Sequence, residues 1–135
     1  MTDFRRVNER LSVSPQIALA DVARAKALGF ATIINNRPDG EAPDQPPGAE
    51  VAAAATAIGL DYVHIPVSGM PTPQQVEAQR EAIAASDGPV LAYCRSGNRC
   101  MVTWAVGERL AGRDRDELVK IGADLGYDLA RVLPG

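Results

Sequence analysis

Apolar and polar positions along the chain alternate between two periods, and the change of period marks the elements. Arg5 to Val13 reads as two short strands. Ser14-Pro15 then reads as a helix N-cap followed by proline at the first helical position, with a helix running to Leu28 and stopping at Gly29. Phe30 to Ile34 is a short apolar run, read as a buried strand. The Pro/Gly-rich stretch from Arg37 to Gly48 breaks both periods and reads as a long loop inside the domain. An Ala-rich helix is predicted from Gly48 to Ile58, ended by Gly59, and a strand from Leu60 to Val67. Thr72-Pro73-Gln74-Gln75 is a capping box, opening a helix that continues to Ala85. Asp87-Gly88 is a turn, and Pro89 to Tyr93 a strand that leads straight into Cys94. Met101 to Leu110 is apolar on most faces and predicts a central, buried helix with Trp104 in the core. Gly112 ends it, Asp114 and Glu117 cap another helix, and a short helix is expected over Asp128 to Leu133. Strands alternating with helices predict an α/β fold, a mostly parallel sheet of four to five strands covered on both faces.

Size and charge narrow the function classes. The chain has 135 residues, 46% of them hydrophobic, and reads as one domain over residues 1–135. Its net charge is -3, from 14 basic and 17 acidic side chains, which gives no electrostatic case for nucleic acid or an anionic membrane. The N-terminal segment from Met1 to Leu11 is polar and does not resemble a secretory signal, and no apolar run approaches a membrane span. A cytoplasmic location is therefore expected, with Cys94 and Cys100 as reduced thiols. One histidine and two cysteines make no metal-ligand cluster, so no metal or other cofactor is expected.

The segment after the Pro89–Tyr93 strand carries the chemistry. Cys-Arg-Ser-Gly-Asn-Arg-Cys, residues 94–100, links a strand to a helix. A helix start presents unpaired N–H groups and the positive end of the dipole. Gly97 lets the loop curl so that the N–H groups of Ser96, Gly97, Asn98 and Arg99 face inward as an anion nest, while Arg95 and Arg99 add fixed charge. A thiol in such a nest loses its proton easily. An ordinary thiol of pKa about 8.5 is only roughly 3% thiolate at neutral pH, whereas one lowered to about 5.5 is almost wholly ionised. Cys94 is the expected nucleophile, and a half-buried inert cysteine is the alternative.

The chain resembles the phosphatase-like domain of the beta-lactamase-hydrolase-like proteins, bacterial relatives of dual-specificity phosphatases. The resemblance runs from Phe4 to Gln16, through Asn35-Asn36-Arg37-Pro38-Asp39-Gly40-Glu41 and Tyr62-Val63-His64-Ile65-Pro66-Val67, to the Cys94 loop. The loop alone also resembles that of single-domain rhodaneses, which are sulfurtransferases. The resemblance implies a tyrosine-phosphatase-like three-layer fold, a Cys94 nucleophile and an anion-cradling loop. Members have been regarded both as phosphatases and as sulfurtransferases. Some are fused to a metallo-beta-lactamase-like domain, which implies a partner protein of that kind in sulfide metabolism. The family more usually has serine at position 100, so Cys100 is either a resolving thiol for an oxidised Cys94 or a small packed residue.

Two features bear on phosphate against sulfur. The phosphatases place their arginine six residues after the cysteine; here that position is Cys100, and the arginine is Arg99. One residue moves a guanidinium by about 3 Å along an extended chain. The phosphatases also carry an aspartate after the strand preceding the catalytic one, to protonate the leaving oxygen. Here that place is Val67-Ser68-Gly69-Met70-Pro71, without a carboxylate. Sulfite or a thiolate leaves unprotonated, so sulfur transfer through a Cys94 persulfide, from a small anionic or persulfide donor, is the favoured expectation. Hydrolysis of phosphate esters through a phosphocysteine is the alternative, with Asp39, Glu41 or His64 replacing the acid; a non-catalytic anion-binding module is the third reading. Arg37 is expected to pair with Asp39 or Glu41 as a loop clasp or to meet substrate, and His64 to be either a packed strand residue or an accessory group.

Overall fold

A computed structural model describes residues 2–133. Five strands form one sheet: β1 (Arg5–Arg6), β2 (Leu11–Ser14), β3 (Thr32–Asn35), β4 (Asp61–His64) and β5 (Val90–Tyr93). Five helices alternate with them: α1 (Leu19–Ala27), α2 (Gly48–Ala57), α3 (Pro73–Ala85), α4 (Asn98–Leu110) and α5 (Arg115–Asp124). The strand order is β1-β2-β5-β3-β4, with β1 antiparallel to β2 and the remaining pairs parallel.

Strands β2, β3 and β5 are buried on both faces, and residues of β3 and β5 alternate between two cores, while β4 forms the more exposed edge. Ile33 and Tyr93 pack with Ile17, Val22, Val51 and Ala55, the layer of α1 and α2. Ile34, Val90 and Ala92 pack with Met101, Trp104 and Leu118, the layer of α3, α4 and α5. Three layers result, as expected, with Trp104 in the core. Among the described residues no helix is long and apolar enough to cross a membrane.

Three local expectations are corrected. Helix α1 begins at Leu19, not after Ser14-Pro15. Ser14 is the last residue of β2, paired with Tyr93, and its carbonyl accepts from Cys94 N–H at 3.3 Å. Sheet pairing therefore wins over the local capping signal, and Asp21 serves α1 instead, its Oδ2 accepting from Ala18 N–H at 2.8 Å. Helix α4 begins at Asn98, earlier than Met101, because Gly97 accepts from Met101 N–H at 3.0 Å and closes the first turn. Residues 128–133 form hydrogen-bonded turns rather than a helix, with Leu129 and Leu133 buried against the core.

The register sets the C-terminal edge of the sheet. Ser14, Tyr93, Asn35 and His64 lie in one row across β2, β5, β3 and β4. The segments beginning at Pro15, Cys94, Asn36 and Ile65 all emerge there, on the side where parallel α/β sheets place their ligands.

Candidate active site

Cys94 leaves the central strand β5 fully buried. Its Sγ accepts the Gly97 N–H at 3.1 Å. A hydrogen bond from the Cys100 thiol is the largest influence on it and lowers its pKa; burial opposes this, and the backbone N–H groups of Cys100, Ser96 and Arg99 add to the lowering. The outcome is a pKa of about 5. Cys100, fully buried in the first turn of α4, is driven well above the usual thiol range by burial and by the neighbouring sulfur. At neutral pH the pair is one thiolate, Cys94, and one thiol, Cys100, that donates to it.

The loop takes this form for identifiable reasons. Gly97 has φ +91°, and a Cβ there would lie 2.2 Å from the Tyr127 hydroxyl and 3.3 Å from the Ser14 carbonyl carbon. The Arg95 carbonyl accepts from Gln16 N–H at 3.2 Å, and the Ser96 carbonyl accepts from the Tyr127 hydroxyl at 3.0 Å. Both carbonyls thus have partners on neighbouring segments, while N–H groups converge on the sulfur. The Asn98 N–H is the exception to the expected nest, since it turns to Ser96 Oγ at 3.3 Å. The Arg95, Ser96 and Asn98 side chains are exposed.

Arg99 points across the sheet edge. Its Nη1 donates to Glu41 Oε2 at 2.8 Å and to the Val67 carbonyl at 2.9 Å, and its Nη2 donates to Glu41 Oε1 at 2.8 Å. Arg37, 4% exposed, also reaches Glu41 Oε1 through Nε at 2.9 Å, and its Nη1 donates to Gln16 Oε1 at 2.9 Å. The expected clasp therefore forms with Glu41, not Asp39. Asp39 accepts from Gly48 N–H at 2.8 Å and caps α2. His64 is exposed, with Nε2 hydrogen-bonded to the Arg37 carbonyl at 3.1 Å.

These contacts bear on the missing acid. Hydrogen bonds from Arg99 and Arg37 hold Glu41 at a pKa of about 2, so it carries no proton to give at neutral pH. Glu77 and Glu81 lie on α3, as expected. Sequence reasoning missed Tyr127, Gln16 and the Val67 carbonyl, which brace the loop and Arg99 from distant segments. An open cavity of ≈ 360 Å³ adjoins Arg99, lined by Gly69, Met70, Asn98, Val102 and Val132.

A parallel three-layer α/β fold, with a buried cysteine opening an N–H-lined loop at the end of its central strand, is the architecture of the tyrosine and dual-specificity phosphatases. The structure of the phosphatase Tk-PTP aligns over 91% of this chain and 84% of its own at a TM-score of 0.70 and 18% identity, which establishes the shared fold. The family is more specific. Residues 3–111 match the model of the beta-lactamase hydrolase-like protein phosphatase-like domain, and the chain belongs to that family. The Beta-lactamase hydrolase-like protein of Agrobacterium fabrum is 42% identical over 126 residues, covering 92% of this chain and 29% of the relative. The chain thus spans less than a third of that curated relative. A candidate phosphatase (nma1982) from Neisseria meningitidis superposes with a TM-score of 0.86 at 34% identity, over 95% of this chain and 92% of its own.

Proposed function

We propose that this domain is a cysteine-dependent phosphatase acting on phosphate monoesters whose leaving group departs without protonation. The observation that carries the reading is the buried Cys94 thiolate, held near pKa 5 among converging N–H donors. Its family and its structural relatives support phosphate chemistry ahead of the sulfurtransferase that the loop spacing suggests. In the first step Cys94 Sγ attacks phosphorus, forming an S–P bond as the P–O bond breaks and the leaving oxygen takes the electron pair. In the second, water attacks phosphorus, the S–P bond breaks, and phosphate leaves with the thiolate restored. The N–H groups of the loop and Arg99 stabilise the oxygens of the transferring group. The cavity beside Met70 and Val102 receives the apolar body of the ester.

Leaving-group dependence follows from the absence of a proton donor. Val67 to Pro71 offers no carboxylate, Glu41 is locked ionised, Asp39 is engaged as a helix cap, and His64 Nε2 is held on the Arg37 carbonyl. General acid catalysis contributes about 10²–10⁴-fold in enzymes that have it. Turnover of p-nitrophenyl phosphate should therefore exceed that of phenyl phosphate by roughly 10²-fold or more. Equal rates for the two esters would refute the acid-free mechanism.

The same feature favours one second reading, sulfur transfer. Thiosulfate would give sulfite and a Cys94 persulfide, and cyanide would then take the outer sulfur as thiocyanate and restore the thiolate. Its support is the acid-free site and the position of Arg99, five residues after Cys94. A metallo-beta-lactamase-like partner belongs to this reading. Thiosulfate with cyanide, assayed beside the aryl phosphates on one preparation, separates the two. Thiocyanate production without phosphate release replaces the first reading with the second, and binding without turnover of either leaves an anion-binding module.

A further inference from the structure

We propose that Glu41 is a positioning residue, which fixes Arg99 so that one edge of its guanidinium faces the anion held at Cys94. The inference rests on the reading of Cys94 as an anion-processing site and adds a residue to it.

A guanidinium carries five N–H bonds in one plane, one on Nε and two on each Nη. Arg99 gives two from Nη1, to Glu41 Oε2 and the Val67 carbonyl, and one from Nη2, to Glu41 Oε1. The donors left over by these bonds are Nε–H and the second N–H of Nη2. In a planar guanidinium these two lie on the same side edge and run parallel, a fork matched to two oxygens of a tetrahedral anion. The Cys94 thiolate is the other charged group that acts on Arg99, through coulombic attraction. The remaining edge is the one left to meet an anion held at Cys94.

Glu41 can do this because it is itself held. Arg37 is almost fully buried and grips Oε1 at 2.9 Å. Arg37 in turn is anchored by Gln16 Oε1, by Asn35 Oδ1 on its N–H at 2.8 Å, and by His64 on its carbonyl. The Glu41 N–H donates to Gln45 Oε1 at 3.0 Å, fixing the backbone that carries the carboxylate. A long, rotamer-rich arginine is thus oriented before any ligand arrives, which removes the ordering cost from binding. The device also answers the register problem. An arginine one residue early on α4 still presents a fork, because a second loop sets its angle.

The experiment uses the full chain and inorganic phosphate as the probe, read as protection of Cys94 from iodoacetamide at pH 7. Cys94 is already ionised at that pH, so the alkylation rate without phosphate should stay within about twofold of wild type in Glu41→Gln. The phosphate concentration for half protection should rise about tenfold. Arg99→Ala should raise it at least as far, and Glu41→Gln added to Arg99→Ala should raise it no further, since the first residue acts through the second. Equal or tighter phosphate binding in Glu41→Gln would mean that the carboxylate competes with the anion, and overturns the proposal. Additive effects in the double variant overturn it as well, as does faster alkylation without phosphate, the sign of a loosened loop. Should Glu41→Gln fail to fold by circular dichroism, Glu41→Asp carries the same test. It keeps the charge but is one methylene too short to span Arg37 and Arg99 together, and wild-type protection in it refutes positioning. Protection requires no turnover, so a protein inactive on every ester would sink the phosphatase reading alone.

Discussion

Cys94 and Cys100 differ in charge state because one sulfur accepts from several donors while the other is fully buried beside that charge. The Cys100 thiol is the largest stabiliser of the Cys94 thiolate, ahead of the backbone N–H groups. Replacing it with a group that cannot donate should therefore raise the Cys94 pKa. Iodoacetamide alkylation of the wild-type chain should show a midpoint near pH 5, and Cys100→Ala a midpoint displaced upward. Cys100→Ser restores a donor and should return the midpoint toward the wild-type value. An unchanged midpoint in Cys100→Ala would assign the shift to the helix start alone. Cys94→Ser should abolish turnover in every assay while the fold persists, because serine is nearly isosteric yet stays protonated at neutral pH. Residual activity above a few percent would disprove the thiolate mechanism.

At the scale of elements, the junction between β5 and α4 depends on a residue that no local pattern points to. Tyr127 follows α5 and presses its hydroxyl against Gly97 while donating to the Ser96 carbonyl. Gly97→Ala meets two separate penalties, a positive φ that costs roughly 1–2 kcal/mol in any residue with a Cβ and a clash of about 1–3 kcal/mol with Tyr127. Tyr127→Phe removes the atom at 2.2 Å, so Gly97→Ala should cost less in that background than in wild type. Urea unfolding of the four proteins checks this, and strictly additive costs would show that the hydroxyl is not the obstacle. The same junction marks how far the sequence is legible. The alternation of strands and helices, the capping box at Thr72 and the Cys94 loop rest on neighbours in the chain, and periodicity reveals them. The capping signal at Ser14-Pro15 does not start α1, because Ser14 is claimed by Tyr93 of β5 across the sheet. Arg99 meets Glu41 from 58 residues away and Tyr127 meets Ser96 from 31, contacts that only the packed sheet edge creates. Glu41 was visible as a candidate partner of Arg37, but its grip on Arg99 depends on how the 36–48 loop folds back over α4.

For the whole molecule, the site leaves a mark on stability that can be read without any substrate. The folded chain holds Cys94 at about 5, below the ordinary value of 9.0, and Cys100 above that value. The depressed group contributes stability that is fully present above the unfolded pKa and is lost as pH falls toward 5. The raised group contributes stability present below the unfolded pKa and lost as pH rises through its folded value. Between these limits the unfolded chain binds one more proton than the folded one at Cys94, so stability must rise with pH. Above them the unfolded chain gives up the Cys100 proton that the folded chain retains, and the trend reverses. Glu41 adds a separate limb at acid pH, since its folded value of about 2 lies below the ordinary 4.5 and its contribution is lost as pH falls through that window. Between pH 6 and pH 8 Glu41 is ionised in both states, and Cys100 stays largely protonated in both. Subtracting the stability of Cys94→Ser from that of wild type then isolates Cys94, because Cys100, whose value depends on the neighbouring sulfur, keeps its proton over this range in both proteins. The difference should grow in favour of wild type by up to about 1.4 kcal/mol per pH unit over this range. Urea unfolding under a thiol reductant at pH 6, 7 and 8 measures it. A difference that is flat across the three values would mean that Cys94 ionises alike in the folded and unfolded chains, and the loop would lose its claim to activate a nucleophile.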